Sequence, residues 1–220
     1  MLTLLVASAT LISPINTLTL AEQKAGWQSM FDGKSFAGWH NYRAKGVRDG
    51  WTIKDGVLRC NNPAEAGDLI SEGSYKWFEL DLEFNMDKDQ NSGVMFHVDE
   101  SEQYPWMTGP EVQIYDHKLQ EGVESTGCLY QFYRPSKDTA KPAGQWNRMQ
   151  VRIAEKGCWV KLNGTKAYDF KLGSEDWNTR LAKTKFAAFK NFGKLGQGSI
   201  AIQGDHGVVS FRNIKIKELK

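Results

Sequence analysis

The stretch from Trp77 to Met86 reads WFELDLEFNM, and from Phe78 onward apolar residues alternate with polar or acidic ones. Successive side chains of a β-strand point to opposite faces, so the apolar set shares one face and the acidic set shares the other. One buried face and one wet face are typical of an antiparallel sheet. This stretch therefore predicts a strand at the heart of an antiparallel β-structure.

The rest of the chain continues this pattern. Asp55-Gly56 and Asn163-Gly164 each lie between short apolar runs and predict tight hairpin turns, because Gly tolerates positive φ. A change of phase near Arg212-Asn213 predicts a β-bulge, and 174–181 is the single helix candidate. Further strands are predicted at 93–98, 111–115, 127–133, 147–154, 159–162, 199–203 and 208–219. Many short strands without βαβ alternation indicate an all-β sandwich of two antiparallel sheets.

Size and composition narrow the functional classes. A chain of 220 residues fits one sandwich domain, predicted at 22–220. The 28 basic and 26 acidic residues give a net charge of +2 without charge runs, which argues against nucleic acid or an anionic membrane as partner. The 8 Trp suit stacking on sugar rings, although sandwich cores also use aromatic residues.

Residues 1–21 carry no charge and are rich in Leu, Ile, Ala, Ser and Thr. They predict a signal peptide cleaved after Ala21, and hence a periplasmic or secreted protein. Pro14 and Asn16 interrupt the segment, which argues against a transmembrane anchor. The three cysteines are far apart and predict packed, unreactive side chains.

The most informative polar stretch is Glu111–Asp116, which reads EVQIYD. In a strand Glu111 and Gln113 share one face, while Val112 and Ile114 point into the core. Asp116 would need a bulge or the strand end to return beside Glu111. Two carboxylates on one polar face can divide the roles of acid and base. The alternative is a solvated strand face followed by a turn.

Two histidines are candidates for proton transfer near neutral pH. His97 lies at strand spacing after the turn at Asn91, and His206 lies in the turn Gln203-Gly204-Asp205-His206-Gly207. The sequence requires no cofactor, but a divalent metal held by some of Asp116, His117, His97 and His206 is an alternative. The sequence has no G-x-S-x-G, P-loop or dinucleotide-binding glycine pattern, which argues against serine hydrolases and nucleotide enzymes.

An ordered set of motifs resembles the 3-keto-disaccharide hydrolase domain family over roughly residues 27–219. The motifs are FDGKSFAGW at 31–39, Trp51 with the 55–58 hairpin, GDLI at 67–70, FEL at 78–80, NSGV at 91–94, EVQIYD at 111–116, GCLY at 127–130, WN at 146–147, NG at 163–164, GSIAIQ at 198–203 and FRNI at 211–214. The resemblance implies a concanavalin A-like jelly-roll sandwich that acts on glycosides whose 3-hydroxyl is oxidised to a ketone. It also implies a partner sugar 3-dehydrogenase. The chain departs from the family at His97, where relatives often have Arg.

The candidate site follows from these residues and the resemblance together. The candidates for catalysis are Glu111, Asp116 and His206, and those for substrate binding are Asn91, His97, Gln113, Tyr130, Trp146 and Gln203. The expected substrate is an oligosaccharide or glycoside, cleaved by removal of the C2 proton, elimination and hydration. The alternatives are conventional two-carboxylate glycoside hydrolysis and a non-catalytic, lectin-like carbohydrate-binding module.

Overall fold

The computed structural model describes residues 14–116 and 122–220, which form two antiparallel β-sheets packed face to face. The predicted all-β jelly-roll sandwich is therefore confirmed. The strands are β1 Trp27–Ser29, β2 Trp39–Asn41, β3 Trp51–Lys54, β4 Val57–Cys60, β5 Leu69–Ser71, β6 Phe78–Met86, β7 Asn91–Val98, β8 Glu111–Tyr115, β9 Asn147–Ile153, β10 Cys158–Leu162, β11 Thr165–Phe170, β12 Ser199–Ile202 and β13 Val209–Glu218. The helices are α1 Leu20–Lys24, α2 Pro63–Ala66 and α3 Glu175–Leu181, with 3-10 turns at Pro105–Met107 and Lys185–Ala188.

The two sheets differ in size. The large sheet has the strand order β11-β10-β9-β6-β13-β4-β3, with β1 also paired to β13. The small sheet has the order β2-β5-β12-β7-β8, so β8 lies at its edge. The main core fills the space between the sheets, because each strand turns its apolar side chains inward.

Strand β6 shows how the alternation builds this core. Phe78, Leu80, Leu82, Phe84 and Met86 are all buried in the main core, as the sequence predicts. The intervening Glu79, Asp81 and Glu83 lie on the outer face of the large sheet, where each forms an ion pair with an arginine. Burial of the apolar row contributes roughly 1.5–3 kcal/mol per side chain.

The turn predictions also hold. Asp55 and Gly56 have φ values of 52° and 76° between β3 and β4, and the turn at 163–164 has values of 50° and 81°. Positive φ at both central residues matches the right-handed twist of hairpin strands. The register of β13 against β6 shifts between Arg212 and Lys215, which confirms the bulge.

The predicted strand at 127–133 is wrong. This segment forms turns with isolated bridges, in which Leu129 pairs with both Val112 and Tyr133. The φ values of Gly127 and Gln131 are 83° and 64°, and such left-handed residues break a regular strand. The segment still follows the free edge of β8, because the N–H of Tyr130 donates to the carbonyl of Glu111 at 2.9 Å.

The described part of the predicted leader lies against the sandwich. The backbone N–H of Asn16 donates to Oδ1 of Asn213 at 2.6 Å, and the N–H of Asn213 donates to Oδ1 of Asn16 at 2.8 Å. Cleavage after Ala21 stays a prediction, which N-terminal sequencing of the exported protein tests. None of the helices in 14–116 and 122–220 has the length and apolarity needed to cross a bilayer. The three cysteines, Cys60, Cys128 and Cys158, are buried and unbridged.

Candidate active site

The outer face of the small sheet carries a polar cavity of about 250 Å³ at its β8 edge. Val112 and Ile114 are buried in the main core, so the alternate residues of β8 face outward. Six predicted site residues line this cavity: Asn91, Glu111, Gln113, Tyr130, Gln203 and His206. The wall is completed by Trp106, Tyr115, Glu124, Lys185 and Phe186.

Glu111 is the central titratable group of this cavity. Its side chain is 8% exposed, and its Oε1 is buried with no hydrogen-bond partner among the described residues. Burial, and after it the negative charge of Asp68, raises the pKa of Glu111 to about 8. The positive charges of His206 and Lys185 act in the opposite direction. A carboxyl group with this pKa can exchange a proton near neutral pH.

Gly93 makes room for this carboxyl group. It pairs with Gln113 across the β7–β8 ladder, next to the pair of Met95 with Glu111. A Cβ on residue 93 would overlap Oε1 of Glu111 and lie 2.6 Å from its Cγ. The Glu111 side chain therefore lies directly over bare backbone, which explains why Gly stands in the interior of a strand.

Amide side chains surround Glu111. Nε2 of Gln113 donates to Oδ1 of Asn91 at 2.9 Å, which orients both groups. Gln203 follows β12, and its backbone N–H donates to the carbonyl of Gly93 at 2.9 Å. The Oε1 of Gln203, like that of Glu111, is buried without a partner among the described residues. Two unsatisfied acceptors in one cavity favour a ligand that donates hydrogen bonds.

His206 faces the same cavity from the turn after β12. Its Nδ1 is hydrogen-bonded to Oδ1 of Asp205, and this contact raises the pKa of His206. The turn is held by Asp68, whose Oδ1 accepts the N–H of Gly204 at 3.0 Å. Burial, then the charge of Asp205, raises the pKa of Asp68 to about 6. The contact with Asp205 therefore makes the imidazolium form of His206 more stable than that of a free histidine side chain.

Lys185 brings a second cation that the sequence analysis did not single out. Its Nζ lies 4.8 Å from the ring centroid of Trp106, 5.6 Å from that of Tyr130 and 5.3 Å from that of Phe186. Cation–π attraction holds the ammonium among these rings. Lys185 and Trp106 lie in 3-10 turns outside the strand pattern, so the periodicity of the sequence contains no signal for them.

Three of the predicted site residues lie elsewhere. Asp116 is at the end of β8, where Oδ2 accepts the N–H of Asp89 at 2.9 Å and thereby holds the β6–β7 turn. Trp146 precedes β9 of the large sheet, with the guanidinium of Arg212 4.0 Å from its ring centroid. The structure therefore does not bring Asp116 or Trp146 to the cavity that contains Glu111.

His97 is the third of these residues. It is 1% exposed, it packs edge-on against Phe78 and Phe96, and its Nε2 is 2.8 Å from the carbonyl oxygen of Lys76. Its φ of 53° and the register shift between β12 and β7 reveal a bulge that turns the ring away from the outer face.

The divalent-metal alternative depended on His97 and Asp116 together with His206 and His117. His117 lies outside the described residues. Within 14–116 and 122–220, no three His, Cys, Asp or Glu side chains are grouped as metal ligands. Metal dependence stays a prediction that a chelator assay tests.

Comparison with known proteins agrees with the family that the motifs predict. Residues 26–217 match the model of the 3-keto-alpha-glucoside-1,2-lyase-like domain. A 3-keto-disaccharide hydrolase of Bacteroides thetaiotaomicron is 28% identical over 240 residues, which cover 93% of this chain and 82% of that protein.

Solved structures show the same relationship. A "putative glycosyl hydrolase" from Parabacteroides distasonis superposes with a TM-score of 0.86 at 32% identity, covering 94% of this chain and 100% of that one. A second structure described in the same words, from the same species, has a TM-score of 0.69 at 28% identity, with coverage of 88% and 99%. The motifs, the sandwich and these matches agree, and the chain belongs to the 3-keto-alpha-glucoside-1,2-lyase-like domain family.

Proposed function

We propose that this protein is an enzyme that cleaves glycosides whose 3-hydroxyl has been oxidised to a ketone. The observation that carries the proposal is the buried, unpartnered carboxyl group of Glu111 in a sugar-sized cavity beside two cationic side chains. Family membership and the name of the Bacteroides relative support the substrate class. The proposed net reaction is hydrolysis, and the proposed route is elimination followed by hydration.

The ketone at C3 makes cleavage by elimination possible. Removal of the C2 proton leaves a carbanion that is delocalised onto the ketone oxygen at C3. The substituent on C1 is β to that carbanion, so its bond can break as the C1–C2 double bond forms. Water then adds across the double bond, and the net reaction is hydrolysis. Such a site needs a base near C2 and positive charge near the enolate and departing oxygens.

Glu111 is the proposed base. A carboxylate whose conjugate acid has a pKa of about 8 is a stronger base than an ordinary glutamate, and the proton leaves C2 for Oε1. His206 and Lys185 supply the positive charge, because both line the cavity and both interact electrostatically with Glu111. The unpartnered Oε1 of Gln203 accepts a sugar hydroxyl, and the Gln113–Asn91 pair binds others.

The substrate must be made by another enzyme. A ketone at C3 of a glycoside arises by oxidation of the 3-hydroxyl, so a sugar 3-dehydrogenase is the proposed functional partner. The uncharged segment at residues 1–21 supports export to the periplasm or secretion.

The deciding experiment offers the purified protein the same glycoside with and without the 3-ketone, with and without chelator. We expect release of the leaving group from the ketone alone, with deuterium from D₂O exchanged into C2. Cleavage of the unoxidised glycoside alone would establish conventional two-carboxylate hydrolysis, for which Glu124 is the other carboxylate in the cavity wall.

Matched variants separate the remaining alternatives. If Glu111 is the base, Glu111→Gln lowers turnover by about 10²–10⁴-fold, whereas Glu124→Gln keeps most of it. If two carboxylates share the reaction, both variants lose turnover. A carbohydrate-binding module would bind the sugar without turnover before and after either change.

A further inference from the structure

A second cavity adjoins the one that contains Glu111. It has a volume of about 690 Å³ and lies between α3 and the segment around Gln131. Glu124 and Lys185 belong to the walls of both cavities. The two cavities therefore lie side by side, with these two side chains between them.

We propose that the second cavity is the subsite for the leaving group, and that it takes a second sugar ring. The proposal rests on the proposed function, because the ring that reacts must lie against Glu111. The first cavity, at about 250 Å³, is below the roughly 300–1,000 Å³ of pockets that enclose drug-sized ligands. It holds one ring, so the remainder of a disaccharide must extend into adjoining space.

The chemistry fixes the direction of that extension. The bond that breaks joins C1 to the glycosidic oxygen, and C1 is bonded to the C2 that Glu111 deprotonates. The departing oxygen therefore lies within two bonds of the reacting carbon, at the border between the two rings. Lys185 lies at the border between the two cavities, so its ammonium group is placed beside the oxygen that acquires charge.

The elimination balances with these groups. The C2 proton passes to the carboxylate of Glu111, and its electron pair forms the C1–C2 double bond. The C1–O bond breaks, its electron pair remains on the glycosidic oxygen, and that oxygen takes a proton from the ammonium of Lys185. The second sugar leaves as an alcohol, and solvent carries a proton from Glu111 back to Lys185.

Arg180 gives the second cavity a rigid donor. Its Nε donates to both carboxylate oxygens of Asp176 at 3.0 Å, and its Nη1 donates to the carbonyl of Phe132 at 2.9 Å. The guanidinium carbon also lies 4.4 Å from the ring centroid of Tyr133. The hydroxyl of Tyr133 also interacts with this guanidinium. A planar guanidinium fixed in this way is preorganised to donate to sugar hydroxyls.

The other polar residues in the wall of the second cavity also provide hydrogen-bonding groups. Gln131 contributes an amide, Thr179 a hydroxyl and Lys183 an ammonium group that forms no ion pair with any described carboxylate. Amide, hydroxyl and cationic groups match a ligand rich in hydroxyl oxygens.

Thr179→Trp tests the subsite, because Thr179 is exposed on α3 and a tryptophan there fills the second cavity. Ala182→Trp is the matched control, since Ala182 is exposed at the end of the same helix and is not part of the cavity wall. We expect Thr179→Trp to lower kcat/KM for a 3-keto-disaccharide at least about tenfold, and to leave methyl 3-keto-glucoside unchanged. Ala182→Trp leaves both substrates unchanged.

A binding measurement keeps the subsite testable apart from turnover. In the Glu111→Gln background, calorimetry gives the Kd of the intact 3-keto-disaccharide with and without Thr179→Trp. We expect the second substitution to weaken binding at least about tenfold, which is the loss of the contacts made by one ring. Equal affinity, or equal loss of kcat/KM for both substrates, overturns the subsite. Failure of the wild type to cleave any 3-keto-glycoside overturns the proposed function, and the binding result then decides the subsite alone.

Discussion

The acidic side chains on the outer faces of the two sheets differ in their hydrogen-bond and ion-pair partners. On the large sheet, Asp81 accepts hydrogen bonds from Arg148 and Gln150, Glu79 pairs with Arg152, and Glu83 pairs with Arg212 at 2.6 Å. On the small sheet, Glu111 has a buried oxygen without a partner among the described residues. The large sheet stabilises the ionised form of its carboxylates, whereas the small sheet destabilises the ionised form of Glu111.

Burial alone does not explain this difference. Asp81 is 3% exposed and Glu111 is 8% exposed, so both acids are removed from water to a similar extent. The difference lies in the neighbours, because β9 places Arg148 opposite the acid row of β6, whereas the backbone of Gly93 in β7 lies beneath the Glu111 side chain. A buried polar group left unsatisfied by the protein is available to a ligand. The comparison therefore locates the chemistry on the small sheet.

Glu111→Gln should have the largest effect on catalysis, because it removes the titratable group that distinguishes the small sheet from the large one. The substitution preserves shape but removes the base, so we expect kcat/KM for a 3-keto-glycoside to fall by about 10²–10⁴-fold. Steady-state assays of leaving-group release measure this loss. Retention of more than a tenth of the activity would show that Glu111 is not the base.

The same substitution changes the pH dependence of stability. Folding raises the pKa of Glu111 from 4.5 to about 8, so between these values the folded protein holds a proton that the unfolded chain releases. As the pH rises through this window, the free energy of unfolding of the wild type therefore falls relative to that of Glu111→Gln, by up to about 1.4 kcal/mol per pH unit. Urea denaturation at pH 5, 7 and 8 measures the difference, and parallel curves would contradict the raised pKa.

Lys185→Met comes next in expected effect. It removes an ammonium group from the cavity wall but keeps a long side chain against Trp106 and Tyr130, and we expect a loss of about 10²-fold in kcat. The positive charge of Lys185 lowers the pKa of Glu111, so its removal raises that pKa. The limb of the pH–rate profile that rises with ionisation of Glu111 should move to higher pH. Lys183→Met, at an exposed lysine outside the wall of the Glu111 cavity, is the control and should leave this limb in place.

Gly93→Ala tests the position of the Glu111 carboxyl group, because it displaces this group without removing it. The added Cβ overlaps Oε1 of Glu111, and a misplacement of about 1 Å costs roughly 10²-fold in rate. Thermal denaturation should show a destabilisation that disappears in the Glu111→Ala background, because the shorter side chain removes the clash. Equal destabilisation in both backgrounds would place the strain elsewhere.

Arg148→Met affects the large sheet and should have the smallest effect on catalysis. It leaves the buried carboxylate of Asp81 with Gln150 as its remaining side-chain partner, and we expect a loss of about 2 kcal/mol in the free energy of unfolding. Activity should not change. Lys166→Met is the control, because the exposed Lys166–Asp169 pair contributes less than about 1 kcal/mol. A loss of activity in Arg148→Met would contradict the separation of the two faces.

Much of the fold and part of the site could be predicted from local patterns. The alternation in β6 and β8 correctly assigned inner and outer faces, and the Asp-Gly and Asn-Gly turns marked hairpins. Glu111, Gln113, Asn91, Tyr130, Gln203 and His206 do line one cavity. The face assignments in β6 and β8 hold because side-chain direction in a regular strand depends on the backbone of that strand alone.

The remaining errors arise where the backbone departs from regularity. A bulge in β7 turns His97 toward Phe78, and the end of β8 leaves Asp116 bonded to the N–H of Asp89. Neither departure has a local signal in the sequence, because a bulge depends on the pairing of two strands that are distant in the chain.

The amino-acid sequence by itself determined the sandwich, the outward direction of Glu111 and the family. Only the tertiary structure decided that Lys185 and Trp106 line the cavity and that, within residues 14–116 and 122–220, no cation lies within hydrogen-bonding distance of Glu111. Strand periodicity is a property of neighbouring residues, whereas a cavity forms where distant segments meet. The pKa of Glu111 depends on that meeting, because burial and the charges of Asp68, His206 and Lys185 come from separate parts of the chain.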